Sequence, residues 1–130
     1  LPEPRVGLAA LAGGLHRLSR QIPMKQAMGM ILTGRRVMAE EGYKLGFVTE
    51  VVQEGEALAG ALRWAEQIIE CSPVSIRTSK DVVMRGDEYA SVREAFEADY
   101  QSVKDMQNSL DFIEGPLAFS EKRPPDWKGR

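Results

Sequence analysis

The 130-residue chain holds one cysteine and one histidine, has little excess of either charge, and lacks any long apolar run. A single cysteine cannot close an internal disulfide, so packing alone must supply stability. Cys71 and His16 are the only soft ligands and share no helix face, which leaves no zinc site and no nucleophilic triad; no metal is expected. A carboxylate-only metal site stays open, although no loop resembles an EF-hand. A formal charge of −2 offers no basic face for nucleic acid. No apolar stretch reaches the 18 residues of a membrane span, and the N-terminus lacks the charged-then-apolar layout of a signal peptide. No membrane partner is expected, and a reduced, cytoplasmic setting is. The chain begins Leu1-Pro2-Glu3 without an initiator Met, as a piece of something longer would.

What is present reads as an ordinary globular composition, 43% hydrophobic and 28% charged. A domain of this size ordinarily buries enough surface for a core of its own. Residues 1–12 are apolar but broken by two prolines and a glycine, as suits a segment lying against other structure. Helical signals follow. Leu15 and Leu18 mark a short first helix. Pro23 suits the first position of a second, in which Met24, Ala27, Met28 and Ile31 form a stripe ended by Gly34. Two turns from Met38 to Leu45 close at Gly46. Phe47 to Val52 is the one convincing strand, needing a partner or serving as an extended connector. Leu58, Ala61, Leu62, Ala65, Ile68 and Ile69 stripe the clearest helix. Ser72-Pro73 reads as N-cap and N1 of a helix running to Gly86. Ser91 and Glu94 have capping-box spacing, with Asp87 as an earlier alternative cap, and Val92, Phe96, Tyr100, Val103 and Met106 carry a seam to about Gln107. A last helix falls near 111–122, disturbed by Gly115-Pro116, before an extended proline tail. The fold class is therefore mainly α, a set of helices with one or two short strands.

Few residues offer chemistry. Cys71 reads as a packed residue ending a helix, with a reactive thiol as the alternative. His16 reads as a surface residue, and Arg35-Arg36 as a solvated connector. Gly13-Gly14 is either an entry turn or a backbone anion site. Lys122-Arg123 near Phe119 sets cations beside an aromatic ring, which suits a nucleotide; a solvated helix end is the alternative. Glu3, beside Pro2 in apolar surroundings, has the setting that suits a carboxyl to proton transfer near neutral pH; an exposed acid near a terminus is the alternative.

Several strings then line up in order. Leu1-Pro2-Glu3 with Gly7-Leu8, and Gly13-Gly14 with Arg17-Leu18 and Arg20, open the series. Ala27-Met28, Met30 to Gly34, Ala39 to Gly42 and Leu45 to Val48 continue it, followed by Glu50 to Val52 and Ser72-Pro73. Asp111-Phe112, Glu114 to Pro116, Ala118-Phe119, Glu121 to Arg123, Pro125 and Trp127 complete it. Together they resemble the enoyl-CoA hydratase/isomerase (crotonase) family across essentially the whole chain, and specifically its C-terminal half. The resemblance implies a lyase or isomerase acting on acyl-CoA, with coenzyme A entering as part of the substrate and no other cofactor. It implies that Glu3 is the catalytic acid/base and that Phe119 and Lys122 contact the nucleotide end of CoA. It also implies that the spiral core and the oxyanion donors lie in the N-terminal half, that residues 1–12 dock on that core, and that the whole protein is a homo-oligomer, a trimer or dimer of trimers. The 130 residues alone are then expected to be inactive, or to act as an assembly module that self-associates through its helical seams. Two departures, Pro23 for a glycine and Gly29 for a common acidic residue, look like tuning.

Overall fold

The computed structural model describes residues 1–130, in which a 3-10 turn at Glu3–Val6 precedes eight α-helices. These are α1 (Gly14–Gln21), α2 (Met24–Thr33), α3 (Ala39–Leu45), α4 (Ala57–Ile69), α5 (Pro73–Gly86), α6 (Val92–Glu97), α7 (Gln101–Gln107) and α8 (Leu110–Glu121). Two compact units divide the chain, Leu1–Gly60 and Ala61–Arg130.

In the first unit the core is Ile22, Ala27 and Met30, flanked by Leu18, Ile31, Val37, Leu45 and Phe47. The stripe on α2 is rotated from the expected one: Ala27 is buried, but Met24 and Met28 are exposed and Met30 takes the inner position. Pro23 stands one residue earlier than anticipated, at the N-cap, where its carbonyl accepts from Gln26 and Ala27 N–H at 2.9 and 3.1 Å.

The expected strand at Phe47–Val52 is absent. Its start is committed elsewhere, because the N–H groups of Gly46, Phe47 and Val48 converge on the Gly42 carbonyl at 3.1, 3.2 and 3.3 Å. Those donors close the end of α3 and cannot join a ladder. Gly42 is needed for this fold-back, since a Cβ there would lie 2.7 Å from Val48 Cγ2 and 3.0 Å from Phe47 Cζ. The segment serves as the connector to α4.

In the second unit α5 packs on α7, and α6 and α8 join that pair. Ser72 caps α5 by accepting from Ser75 N–H at 3.2 Å. Ser91 likewise accepts from Glu94 N–H at 3.2 Å, while Glu94 reaches back to Ala90 N–H at 3.1 Å, so the later of the two possible starts is used. The seam read from Val92 to Met106 is broken at 98–100, where Ala98 and Tyr100 adopt extended backbone. Tyr100 is the cause. Its ring lies buried with Arg85 5.3 Å above the centroid and Tyr89 packed edge-on, and its hydroxyl donates to the Ala95 carbonyl at 2.9 Å. Those contacts turn Tyr100 inward at the expense of helix continuity, leaving Val92 and Phe96 each 88% exposed.

Burial is scarce throughout. The chain exposes 10325 Å², against roughly 6,800 Å² for a folded monomer of its mass and roughly 8,200 Å² for two globules of half that mass. The expected core of ordinary size is thus not formed. Leu58, Leu62, Ile68 and Ile69 on α4 are exposed, as are Val6, Leu8 and Leu11 in the first segment.

Candidate functional site

Glu3 opens the 3-10 turn behind Pro2, and two donors close the turn over its carbonyl: Leu8 N–H at 2.9 Å and the left-handed Gly7. Arg5 ties the turn to the end of α2 by donating from Nε to the Thr33 carbonyl at 3.1 Å. Gly13 and Gly14 bring α1 against the same segment. A Cβ on Gly14 would lie 2.8 Å from Leu1 Cδ2 and 3.1 Å from Ala10 Cβ, so the glycine pair is an entry turn and a close packing point. The result is a pocket of about 370 Å³ whose walls include Glu3, Leu1, Ala9, Ala10, Leu11 and Arg17. Glu3 Oε2 is buried and has no hydrogen-bond partner. Buried carboxylate oxygens are ordinarily satisfied, so this exception carries information.

The second unit holds the other expected residues. Phe119 projects from α8 with 87% of its surface exposed, and Lys122 stands just beyond the helix, also exposed. Lys122 has φ 54°, the only non-glycine residue in the left-handed region. Arg123 follows it and is engaged by carboxylates: its two terminal guanidinium nitrogens donate to Glu114 at 2.6 and 3.0 Å, and Nε donates to Glu121 at 2.6 Å. Glu114 also accepts Asp126 N–H at 2.7 Å. Hydrogen bonds from Arg123 and from that amide hold the Glu114 carboxyl down to about 2. Arg123 is therefore a structural member of the corner, and Lys122 is the cation left to meet a ligand.

Asp111 is a centre that sequence reasoning missed. It is 4% exposed, accepts Ser72 Oγ at 2.7 Å, and takes Lys128 and Gly129 N–H at 2.7 and 3.1 Å. Burial alone would raise its pKa, but the Ser72 hydroxyl, the two amides and the Arg77 charge outweigh that and lower it. Its work is to hold the tail, which Trp127 also anchors by donating to the Glu70 carbonyl at 2.9 Å.

Cys71, expected to be packed, is exposed: it lies beyond the last residue of α4, and its thiol donates to the Gln67 carbonyl at 3.6 Å. His16 is on the surface as read. Arg35 is more than a solvated connector: it forms a two-pronged pair with Glu41 at 2.9 and 2.5 Å, and its hydrogen bonds lower the Glu41 pKa.

A sequence model of the enoyl-CoA hydratase/isomerase family matches residues 1–130, and the chain belongs to that family. Carnitinyl-CoA dehydratase of Escherichia coli O157:H7 is 38% identical over 136 residues, covering 100% of this chain and 51% of that protein. Among solved structures, an enoyl-CoA hydratase from Mycobacterium marinum superposes with a TM-score of 0.93 at 35% identity, over 100% of this chain and 51% of that one. A probable enoyl-CoA hydratase/isomerase from Mycobacterium abscessus gives 0.90 at 38% identity, over 99% and 51%. The chain thus spans about half the length of the relatives it matches, and the helical architecture is the one that half has in them. No helix is long and apolar enough to cross a membrane.

Proposed function

We propose that this chain carries the acid/base residue and the nucleotide contacts of an acyl-CoA hydratase, with isomerase chemistry as the sister outcome of the same carboxyl. In hydration the oxygen of water bonds to the β-carbon of a 2-enoyl-CoA thioester while that water gives up one proton to a second carboxylate, which the family resemblance assigns to the N-terminal half, and a proton is delivered to the α-carbon. Glu3 is the donor of that proton. The observation that supports this is the buried, unpartnered Oε2 of Glu3 at the wall of a pocket: a carboxyl with spare hydrogen-bonding capacity is free to exchange a proton with a substrate carbon. Phe119 and Lys122 supply a stacking face and a cation for the nucleotide end of CoA. Residues 1–12, with Val6, Leu8 and Leu11 uncovered, dock on the spiral core. The substrate is an acyl-CoA thioester, and the working assembly is a homo-oligomer.

The developing enolate needs oxyanion donors, and these supply much of the rate in such chemistry. The family resemblance assigns them to the N-terminal half, so the 130 residues alone give no appreciable turnover. Hydration of crotonyl-CoA, followed by loss of ultraviolet absorbance, tests both parts. The isolated chain is expected to be silent. A longer protein carrying both halves is expected to be active and to lose roughly 10²- to 10⁴-fold on Glu3→Gln. Robust turnover by the isolated chain, or an unaffected Glu3→Gln enzyme, overturns the assignment.

A second reading is supported by the excess exposed surface: the isolated chain self-associates through the apolar faces of α4 and α6. Light scattering showing a clean monomer over a wide concentration range would remove it.

A further inference from the structure

Seven residues hold φ in the left-handed region, and six are glycines. Lys122 is the seventh, at a position just past a helix that glycine usually takes because it has no Cβ to clash. Strain of this kind persists only where the surroundings impose it. Here the imposing groups are in view. Lys122 N–H closes on the Phe119 carbonyl at 3.3 Å, and Arg123 N–H on the Ala118 carbonyl at 3.1 Å. The Arg123 side chain is then clamped by Glu114 from two turns back along α8, and Glu114 simultaneously holds Asp126 N–H on the far side of Pro124-Pro125. The chain is fixed on both sides of Lys122: by the helix before it, and by a two-pronged ion pair after it.

We propose that Glu114 and Arg123 are positioning residues for Lys122, forming a clasp that holds its backbone left-handed and aims its ammonium, beside Phe119, at the phosphates of an acyl-CoA. The inference rests on the assignment of Phe119 and Lys122 to the nucleotide end, and the two can fail separately. The clasp is a fork in which one carboxylate takes the two terminal guanidinium nitrogens, a geometry that lysine in place of Arg123 cannot reproduce.

The test uses the 130-residue chain, coenzyme A as the probe, and two readouts. The first is the backbone conformation of Lys122, taken from its three-bond amide coupling and Cα chemical shift. The second is CoA affinity by calorimetry. Glu114→Gln is expected to abolish the left-handed signature at Lys122 and to weaken CoA by roughly five- to tenfold, the size of one net hydrogen bond. Lys122→Ala should weaken CoA equally, and adding Glu114→Gln to it should cause no further loss, because the clasp acts through Lys122. Exchanging the partners, Glu114→Arg with Arg123→Glu, should restore part of both readouts. If Glu114→Gln perturbs the helices by circular dichroism, Arg123→Lys provides the same comparison with the charge retained.

A left-handed Lys122 that survives both Glu114→Gln and Arg123→Lys overturns the clasp, whatever CoA does. Multiplicative losses in the double variant also overturn it, since a general structural effect would give them. An undisturbed affinity in Lys122→Ala, or no binding by the wild-type chain, instead overturns the nucleotide assignment, while the conformational readout still decides the clasp.

Discussion

The two units treat their buried carboxylates in opposite ways. In the second, Asp111 is surrounded by donors from Ser72, Lys128 and Gly129, which tie the start of α5 and the tail to α8. In the first, Glu3 has a buried oxygen that nothing satisfies. Asp111 is buried as a whole and Glu3 is half-buried, so the buried oxygen they share is not by itself what separates a structural carboxylate from a chemical one. The difference is saturation. A carboxylate with three good donors is held in its charged form and has no capacity left to exchange a proton with a substrate. An unsatisfied one bears a desolvation penalty that a substrate contact can relieve.

Removing the saturated carboxylate is the most damaging way to probe that contrast. Asp111→Ala leaves the Ser72 hydroxyl and the amides of Lys128 and Gly129 without their acceptor around a buried side chain. A loss of about 3 kcal/mol in urea unfolding is expected, with tail resonances collapsing first. Glu3→Gln, by contrast, deprives no partner and should leave the same curve within experimental error. Equal losses at the two positions would dissolve the distinction.

A smaller effect tests how the first unit is assembled around its pocket. Gly42→Ala sets a methyl against Val48 and Phe47, and Phe47 belongs to the shell packed on Ile22, Ala27 and Met30. Overpacking at such a point costs about 2 kcal/mol. Because the lesion lies in the first unit, thermal melting should show it in probes of Ile22 and Phe47 while the Trp127 environment is unchanged. A uniform shift of both would mean that the units unfold as one.

Gly42 also shows where sequence reading stops. The helices were legible because their signals are local: Ser72-Pro73 and Ser91 to Glu94 announce caps within four residues. The strand at 47–52 was misread because β-branched composition is a local preference, whereas the fate of its first N–H groups depends on a carbonyl on α3. The break at 98–100 was missed for a similar reason, since an apolar period cannot reveal that Tyr100 has partners on α5. At the site, Glu3, Phe119 and Lys122 were found through motif resemblance. Asp111 was not, because an acid in the first turn of a helix looks like a simple complement to the helix dipole. Its partners at 128 and 129 lie 17 and 18 residues on. The prolines at 124 and 125 were the available signal: an extended tail must still satisfy its amides, and a buried acid is a natural acceptor.

The mildest perturbation, acid, separates saturated carboxylates by how strongly each is held. Glu114 has its pKa lowered from 4.5 to about 2, with the Arg123 side chain the largest cause. A depressed folded-state value means that the pair's stabilisation is complete above the ordinary carboxylate value and is lost as pH falls through the folded one. The Arg123 clasp should therefore be intact at pH 5 and open only as the pH approaches 2. The Asp126 amide, which donates to Glu114, is the reporter: its NMR shift should titrate with a midpoint near 2, while the helices persist by circular dichroism. A midpoint near 4.5 would show a loose pair unable to impose conformation on Lys122, placing the strain at that residue on the helix end alone. The Lys128 amide on Asp111 should likewise move only below the ordinary aspartate range, because that pKa is also lowered. If both amides titrate late, the tail of the second unit is held by two independently saturated acids.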